Sequence, residues 1–247
     1  MTPFEVQYTL LRPFFIPLHY HAHRILKSIV NAKEDTKVQL LDVGGRKSHY
    51  TIGLDASVTI SDVPRETEVQ YKLNLGINSQ IVQQTLARRS NIKDIIYDNM
   101  ENTSLPDRSY DVVVAIEVLE HVEKDREFVA NVYNVLRPGG HFVMTTPNGD
   151  FVTNITNPDH KRHYTREQLF GLLSLYFEAT DVHYAVKSGR LHKWGLRSWS
   201  VRSPLRTSVS ALSNFMSQWQ TTQAALKEQA TGTCHLIGIC RKSDLSA

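Results

Sequence analysis

The feature that most constrains this chain is a succession of short apolar runs, each closed by glycine, aspartate or glutamate. Val38 to Val43 is stopped by Gly44 and Gly45, Val58 to Ser61 by Asp62 and Pro64, Lys93 to Tyr97 by Asp98, and Tyr110 to Ile116 by Glu117. Runs of this length, apolar on both faces and rich in Val and Ile, read as buried parallel strands. Among them, Ile77 to Arg89, Asp125 to Leu136 and Arg166 to Leu175 place apolar residues at helical spacing. Pro138-Gly139-Gly140 ends the second of these helices, and Thr165 with Gln168 forms a capping box at the head of the third. His141 to Thr145 reads as a fifth strand, with His183 to Val186 and Cys234 to Arg241 as two late ones. This alternation predicts an α/β fold: a Rossmann-like, doubly wound, mostly parallel sheet whose last strand is antiparallel.

At 247 residues, 41% of them hydrophobic, the chain can bury one substantial core. The expected organisation is an N-terminal helical cap over 1–36, a Rossmann-like core over 37–183, a basic tryptophan-containing insertion over 184–231, and the last strand and tail over 232–247. The cap holds the apolar cluster Leu10 to Leu18 and a helix over His21 to Val30. Within the insertion, Tyr184 to Lys227 has seven Lys or Arg, no Asp or Glu, and all three tryptophans, Trp194, Trp199 and Trp219. Leu205, Val209, Leu212, Phe215, Met216 and Trp219 form one apolar helical stripe there. Two readings stay open: a helix buried against the domain or a second subunit in a homodimer, and a lid that attracts an anionic ligand. A net charge of +3 is too modest to make nucleic acid the first partner. No apolar run approaches the roughly 20 residues of a membrane span, and Met1 to Val30 lacks the unbroken apolar stretch of a signal peptide. A cytoplasmic location is expected, with peripheral membrane contact allowed. Cys234 and Cys240 lie six apart in a strand, out of disulfide reach at roughly 3.3 Å per residue, and read as reduced.

In an open α/β sheet, ligands bind beyond the carboxyl ends of the strands, at the point where strand order reverses. The polar residues and glycines fall at those ends. Asp42, Gly44 and Gly45 close the first strand, where a missing side chain admits a ligand to the backbone. Asp62, 20 positions after Asp42, closes the second, where a carboxylate can accept from both hydroxyls of a ribose. Asp98, Asn99 and Met100 follow the third strand and suit the edge and face of an adenine; Glu117 follows the fourth. Asp55 competes with Asp62 for the ribose position, but it follows Asp42 too closely for a crossover helix and a strand.

These residues carry a resemblance. Leu41-Asp42-Val43-Gly44-Gly45, Asp62, Leu105-Pro106-Asp107-Arg108-Ser109-Tyr110-Asp111, Glu117-Val118-Leu119-Glu120-His121-Val122 and Leu136-Arg137-Pro138-Gly139-Gly140 resemble, in order, the motifs of class I S-adenosylmethionine-dependent methyltransferases of the type 11 kind. The resemblance implies S-adenosylmethionine as cofactor, its methionine end near Asp42, the glycines and Glu117, its ribose on Asp62, and its adenine at Asp98 to Met100. The glycine loop departs from the family pattern, since Arg46 and Ser48 occupy its later glycine positions; both are expected at the cofactor. The missing fingerprint also argues against a dinucleotide.

Methyl transfer from a sulfonium is an in-line displacement with a good leaving group, so the protein must align the acceptor, exclude water and remove a proton. Glu117, His121 and His163 are the candidate catalytic residues. Glu117, Glu120, His121 and His160 are candidate ligands for Mg²⁺ or another divalent ion. Glu117-x-x-Glu120-His121 with a downstream His also resembles the pattern of plant small-RNA 2′-O-methyltransferases and ubiquinone-biosynthesis O-methyltransferases, which implies a metal that activates an acceptor oxygen. A metal-free imidazole base, or a packing role for Glu120 and His121, stays open. His19, His21 and His23 do not share one helical face and read as cap packing. The expected reaction is methylation of a hydroxyl, less readily an amine, of a small metabolite, glycan or natural-product intermediate. RNA 2′-O-methylation and a non-catalytic cofactor-binding scaffold are the rivals.

Overall fold

The computed structural model describes residues 1–33, 37–66, 68, 76–197, 199–221 and 224–244. One seven-stranded sheet is built from β1 (Val38–Val43), β2 (Ala56–Asp62), β3 (Ile92–Tyr97), β4 (Tyr110–Ile116), β5 (Leu136–Pro147), β6 (Ala179–Lys187) and β7 (Thr233–Arg241). Their order is β3-β2-β1-β4-β5-β7-β6. The pairings from β3 to β5 are parallel, and β7 runs antiparallel between β5 and β6. This is the mostly parallel sheet with an antiparallel last strand that the sequence predicts. Chain order reverses between β1 and β4, which places the ligand crevice there.

Because strand side chains alternate, each central strand feeds two cores. Leu40, Val112, Val114 and Val143 point to one face; Leu41, Val113, Phe142 and Met144 point to the other. On the second face lie α4 (Asp125–Val135), through Phe128, Val129, Val132 and Val135, and α5 (Arg166–Ser174), through Leu169, Leu172 and Leu173. Thr165 and Gln168 form the expected capping box on α5. α3 (Ser79–Arg88) opens on Asn78, whose side chain accepts from Ile81 N–H.

The strict alternation of strand and helix fails after β1. From Gly44 to Asp55 the chain makes one 3-10 turn, Gly45–Lys47, and no α-helix. The uncovered sheet face is filled by α2 (Pro17–Asn31), whose Leu18, Ala22, Leu26 and Val30 pack with Val38, Leu40, Val58 and Ile60. The N-terminal segment is therefore part of the main core. Its first helix, α1 (Pro3–Leu11), begins at a Thr2/Glu5 capping box, so the expected cluster Leu10 to Leu18 is a helix end, a turn and a helix start. β5 starts at Leu136, five residues earlier than expected, because the chain re-enters the sheet across an irregularity between the pairs Tyr110/Leu136 and Val112/His141.

The insertion holds α6 (Arg190–Gly195) and α7 (Pro204–Thr221). Of the first reading above, only burial of the apolar stripe against the domain itself is overturned. Leu205, Leu212, Phe215, Met216 and Trp219 are exposed, while Ser210, Ser213, Asn214, Ser217 and Gln218 are buried. The physical reason is that α7 packs onto backbone carbonyls, which demand hydrogen-bond donors. Among the described residues no helix is long and apolar enough to cross a membrane.

Candidate functional site

A cleft of about 520 Å³ opens at the carboxyl ends of the central strands. Gly44, Arg46 and Ser48 line it from the loop after β1, Asp62 from β2, Asp98, Asn99 and Met100 from the loop after β3, and Glu117 and His121 from the chain after β4. Gly44 adopts φ +68°, and its N–H donates to Ser61 O at 2.8 Å, so the turn is tied to the end of β2. A Cβ there would lie 2.9 Å from Val118 Cγ2.

Asp42 and Gly45 lie beneath the cleft. Asp42 is fully buried; its carboxylate accepts from Tyr50 Oη at 2.8 Å and Thr51 Oγ1 at 3.4 Å, and a Cβ on Gly45 would collide with it. Arg89 donates to Ser48 O and to Thr51 Oγ1. This buried network ties the β1–β2 loop together where no crossover helix does so. Burial pushes the Asp42 carboxyl up to about 6, against the hydroxyls of Ser48, Tyr50 and Thr51 and the charge of Arg89.

Asp62 reaches the cleft from the end of β2, its Oδ1 accepting from Val63 N–H at 2.9 Å. Asp55 lies at the opposite, exposed end of that strand. Burial raises the Asp62 pKa, opposed by the Val63 N–H and by Arg46, Arg65 and Lys47. Asp98 N–H donates to Asp62 O, and the Asp98 carboxylate accepts from Thr103 Oγ1 and Ser104 N–H, which fixes the following loop. Met100, buried and anchored by Asn131 on its carbonyl, forms an apolar wall with Val63 and Phe128.

Glu117 takes φ +56°, a strained conformation for a residue with a side chain. Thr145 holds it there. Glu117 N–H donates to Thr145 O and Oγ1, and Thr145 Oγ1 donates to Glu117 Oε1 at 2.8 Å. His235 Nδ1 is 3.3 Å from the same oxygen. Burial alone would raise the Glu117 pKa, but His235, Thr145 and His19 bring it below its ordinary value. Glu120 behaves oppositely. It is wholly buried, neither oxygen has a hydrogen-bond partner of good geometry, and burial reinforced by the Glu117 charge pushes its pKa well up.

Glu120, His121 and His160 can place one ligand atom each within 4.8 Å of one another; Glu117 is outside this group. The hydrogen bonds assign the tautomers. His163 Nδ1 donates to Val152 O at 2.7 Å, so its Nε2 accepts, at 2.9 Å, from His160 Nδ1. His160 therefore keeps its lone pair on Nε2. His121 Nδ1 donates to Asp159 Oδ2 at 2.8 Å and likewise keeps Nε2 as acceptor. Two imidazole lone pairs beside an orphaned buried carboxylate fit a divalent cation. The nitrogen donors suit Mn²⁺, Co²⁺ or Zn²⁺ better than Mg²⁺, which prefers oxygen. Lys161 N–H on Glu120 O, and Arg162 and Tyr164 on Asp125, draw the loop after β5 against the chain after β4.

Sequence reading missed several residues here. His19 lines the cleft, whereas His23 lies under the β1–β2 loop, bonded to Tyr50 O and Arg12. His235 begins β7 opposite Pro147 and faces Glu117, with His192 of α6 at 6.2 Å between ring centres. An antiparallel strand delivers its first residues, not its last, to the carboxyl ends of its parallel neighbours. That topology is the signal that would have found His235.

Residues 41–144 match a family model described as a methyltransferase domain. A probable S-adenosylmethionine-dependent methyltransferase of Mycolicibacterium smegmatis is 35% identical over 128 residues, 50% of this chain and 48% of that protein. The mitochondrial ubiquinone biosynthesis O-methyltransferase of Schizosaccharomyces pombe is 32% identical over 115 residues, 44% of this chain and 37% of that protein. The chain thus spans about half or less of the length of these curated relatives. A solved S-adenosylmethionine-dependent methyltransferase from Archaeoglobus fulgidus shares the fold with a TM-score of 0.54 at 15% identity, over 89% of this chain and 94% of that one.

Proposed function

We propose that the chain, whose residues 41–144 match a methyltransferase domain, is a class I methyltransferase that transfers a methyl group from S-adenosylmethionine to a hydroxyl oxygen of a small acceptor. The observation that carries this reading is the His121–Asp159 pair at 2.8 Å, which leaves an imidazole lone pair at the wall of the cofactor cleft. In this reading Asp62 binds the ribose and the slot of Val63, Met100 and Phe128 takes the adenine. Arg46 and Lys47, at a loop with no helix N-terminus, supply the positive charge for the cofactor carboxylate. The ionised Glu117 faces the cationic methionine end. As the acceptor oxygen attacks the methyl carbon, the sulfur–carbon bond breaks, and the acceptor proton passes to His121 Nε2 while Asp159 stabilises the resulting imidazolium. His163, with both ring nitrogens engaged, orients His160 and takes no proton.

A second reading has its own observation, the orphaned Glu120 carboxylate beside His121 and His160. These three residues would hold a divalent ion, which when bound lowers the pKa of an acceptor hydroxyl. The two readings compete for His121 Nε2, so one experiment separates them. Methyl transfer from labelled cofactor to a panel of phenolic and aliphatic alcohols is measured before and after chelation, with Mn²⁺, Zn²⁺ or Mg²⁺ added back. Turnover indifferent to chelator but lost in His121→Ala supports the base. Loss on chelation with metal rescue supports the ion. Full turnover in both Glu117→Ala and His121→Ala would remove these residues from the chemistry altogether.

A further inference from the structure

α7 is built with its faces reversed. Its buried face is polar. Ser210 Oγ lies 2.9 Å from Gly195 O and 3.0 Å from Arg197 O, Asn214 Nδ2 donates to Phe14 O and Gly195 O, and Gln218 Nε2 donates to Phe15 O. A Cβ on Gly195 would meet Asn214 Oδ1 at 2.0 Å, so α6 and α7 are closely seated. With these donors committed, α7 cannot turn to bury its other side. Leu205 (78%), Leu212 (59%), Phe215 (51%) and Trp219 (69%) stay exposed, and Trp194, Leu196 and Val201 on and beyond α6 extend the surface. A surface helix of a water-soluble domain normally shows the opposite arrangement.

The charge around this surface is one-sided. Between Val182 and Lys227 the chain has seven Lys or Arg and no Asp or Glu, and Lys193, Arg197 and Arg202 are exposed beside the apolar side chains. Apolar residues, exposed tryptophans and the exposed cations Lys193, Arg197 and Arg202 together match the interface of a bilayer with anionic headgroups. We propose that α7, together with Trp194, Leu196 and Val201, forms a docking face that seats in the headgroup boundary of an anionic membrane. A second copy of the chain fits less well, because a twofold contact would set these cations against their own images. The exposed residues of α7 itself also lie on the outer side of a single helix, not in a groove shaped for a peptide. The proposal is independent of the methyl-transfer reading, although His192 on α6 places the docking segment against His235 and so beside the cleft.

The test is co-sedimentation of the full chain with vesicles of phosphatidylcholine alone and with about 30% phosphatidylglycerol, at low and high salt. The expected result is partitioning onto the anionic vesicles at least about tenfold above the neutral ones, weakened by salt and by about fivefold per charge removed in Arg197→Gln and Arg202→Gln. Leu212→Gln/Met216→Gln, which alters only exposed positions, should abolish it while far-ultraviolet circular dichroism is unchanged. No sedimentation with either vesicle, or equal sedimentation with both, would overturn the proposal. So would a dimer by light scattering that this double variant converts to monomer, since a second copy would then cover the face.

Discussion

Asp62→Ala is the substitution that most directly probes the cleft. The side chain ends β2 inside the cleft, with Val63 N–H on Oδ1 and the cations Arg46, Lys47 and Arg65 near it. A ribose diol would donate two hydrogen bonds to this carboxylate, and bonds to charged groups contribute about 1.5–3 kcal/mol each. Because the two share one acceptor group, a combined loss of about 3–4 kcal/mol is expected, or roughly 10²–10³ in Kd. The assay is calorimetric titration with S-adenosylmethionine and S-adenosylhomocysteine, with Asp55→Ala as control at the exposed, opposite end of the same strand. Both ligands should weaken equally in Asp62→Ala, since the ribose is common to them, and neither in Asp55→Ala. The pH dependence has a definite sign. Burial raises the Asp62 pKa and the ligand's hydroxyls favour its ionised form, so affinity should fall on acidification, starting at higher pH than for an exposed aspartate. Unchanged affinity in Asp62→Ala would refute the placement of the ribose and with it the orientation of the cofactor.

Two further outcomes follow from the same geometry. Asp42 has its folded pKa raised to about 6 from 3.8, so it holds its proton in the folded state where the unfolded chain has lost it. Stability from this group is therefore greatest at low pH and lost as pH rises from about 4 to 6, by roughly 3 kcal/mol. Urea unfolding of Asp42→Asn should show the variant gaining about that much relative to the parent across this window. The imidazoles of His23, which is buried, and of His19, His21, His49 and His192, which are half-buried, are lowered to about 4 by desolvation, give an opposite slope in both proteins and cancel in the difference. In Gly44→Ala, φ +68° and the 2.9 Å approach to Val118 should cost about 1–3 kcal/mol in urea unfolding and weaken cofactor binding by at least about tenfold, because the strained turn is itself a wall of the cleft.

The sequence by itself determined the sheet and the strand-end positions of the cleft. Buried parallel strands are local apolar runs, so their bounds and the residues that end them are written in consecutive letters: Val38–Val43 and Tyr110–Ile116 match residue for residue, Asp62 ends its strand, and Asp98 and Glu117 directly follow theirs. Caps are equally local, as Thr165 and Gln168 show. Only the tertiary structure decided what depends on partners distant in sequence. Periodicity reports that a helix has two faces, not what each face meets. α7 therefore had to be seen against the carbonyls of Phe14, Phe15 and Gly195 before its polar side could be known as the inner one. The missing crossover helix was filled by α2, which no residue of the β1–β2 loop announces. His235 reached Glu117 across 118 residues because β7 runs backwards into the sheet. The tautomers of His121 and His160 were set by Asp159 and by His163 with Val152 O. Which nitrogen holds a lone pair is a property of the neighbours, and neighbours across a fold are chosen by packing.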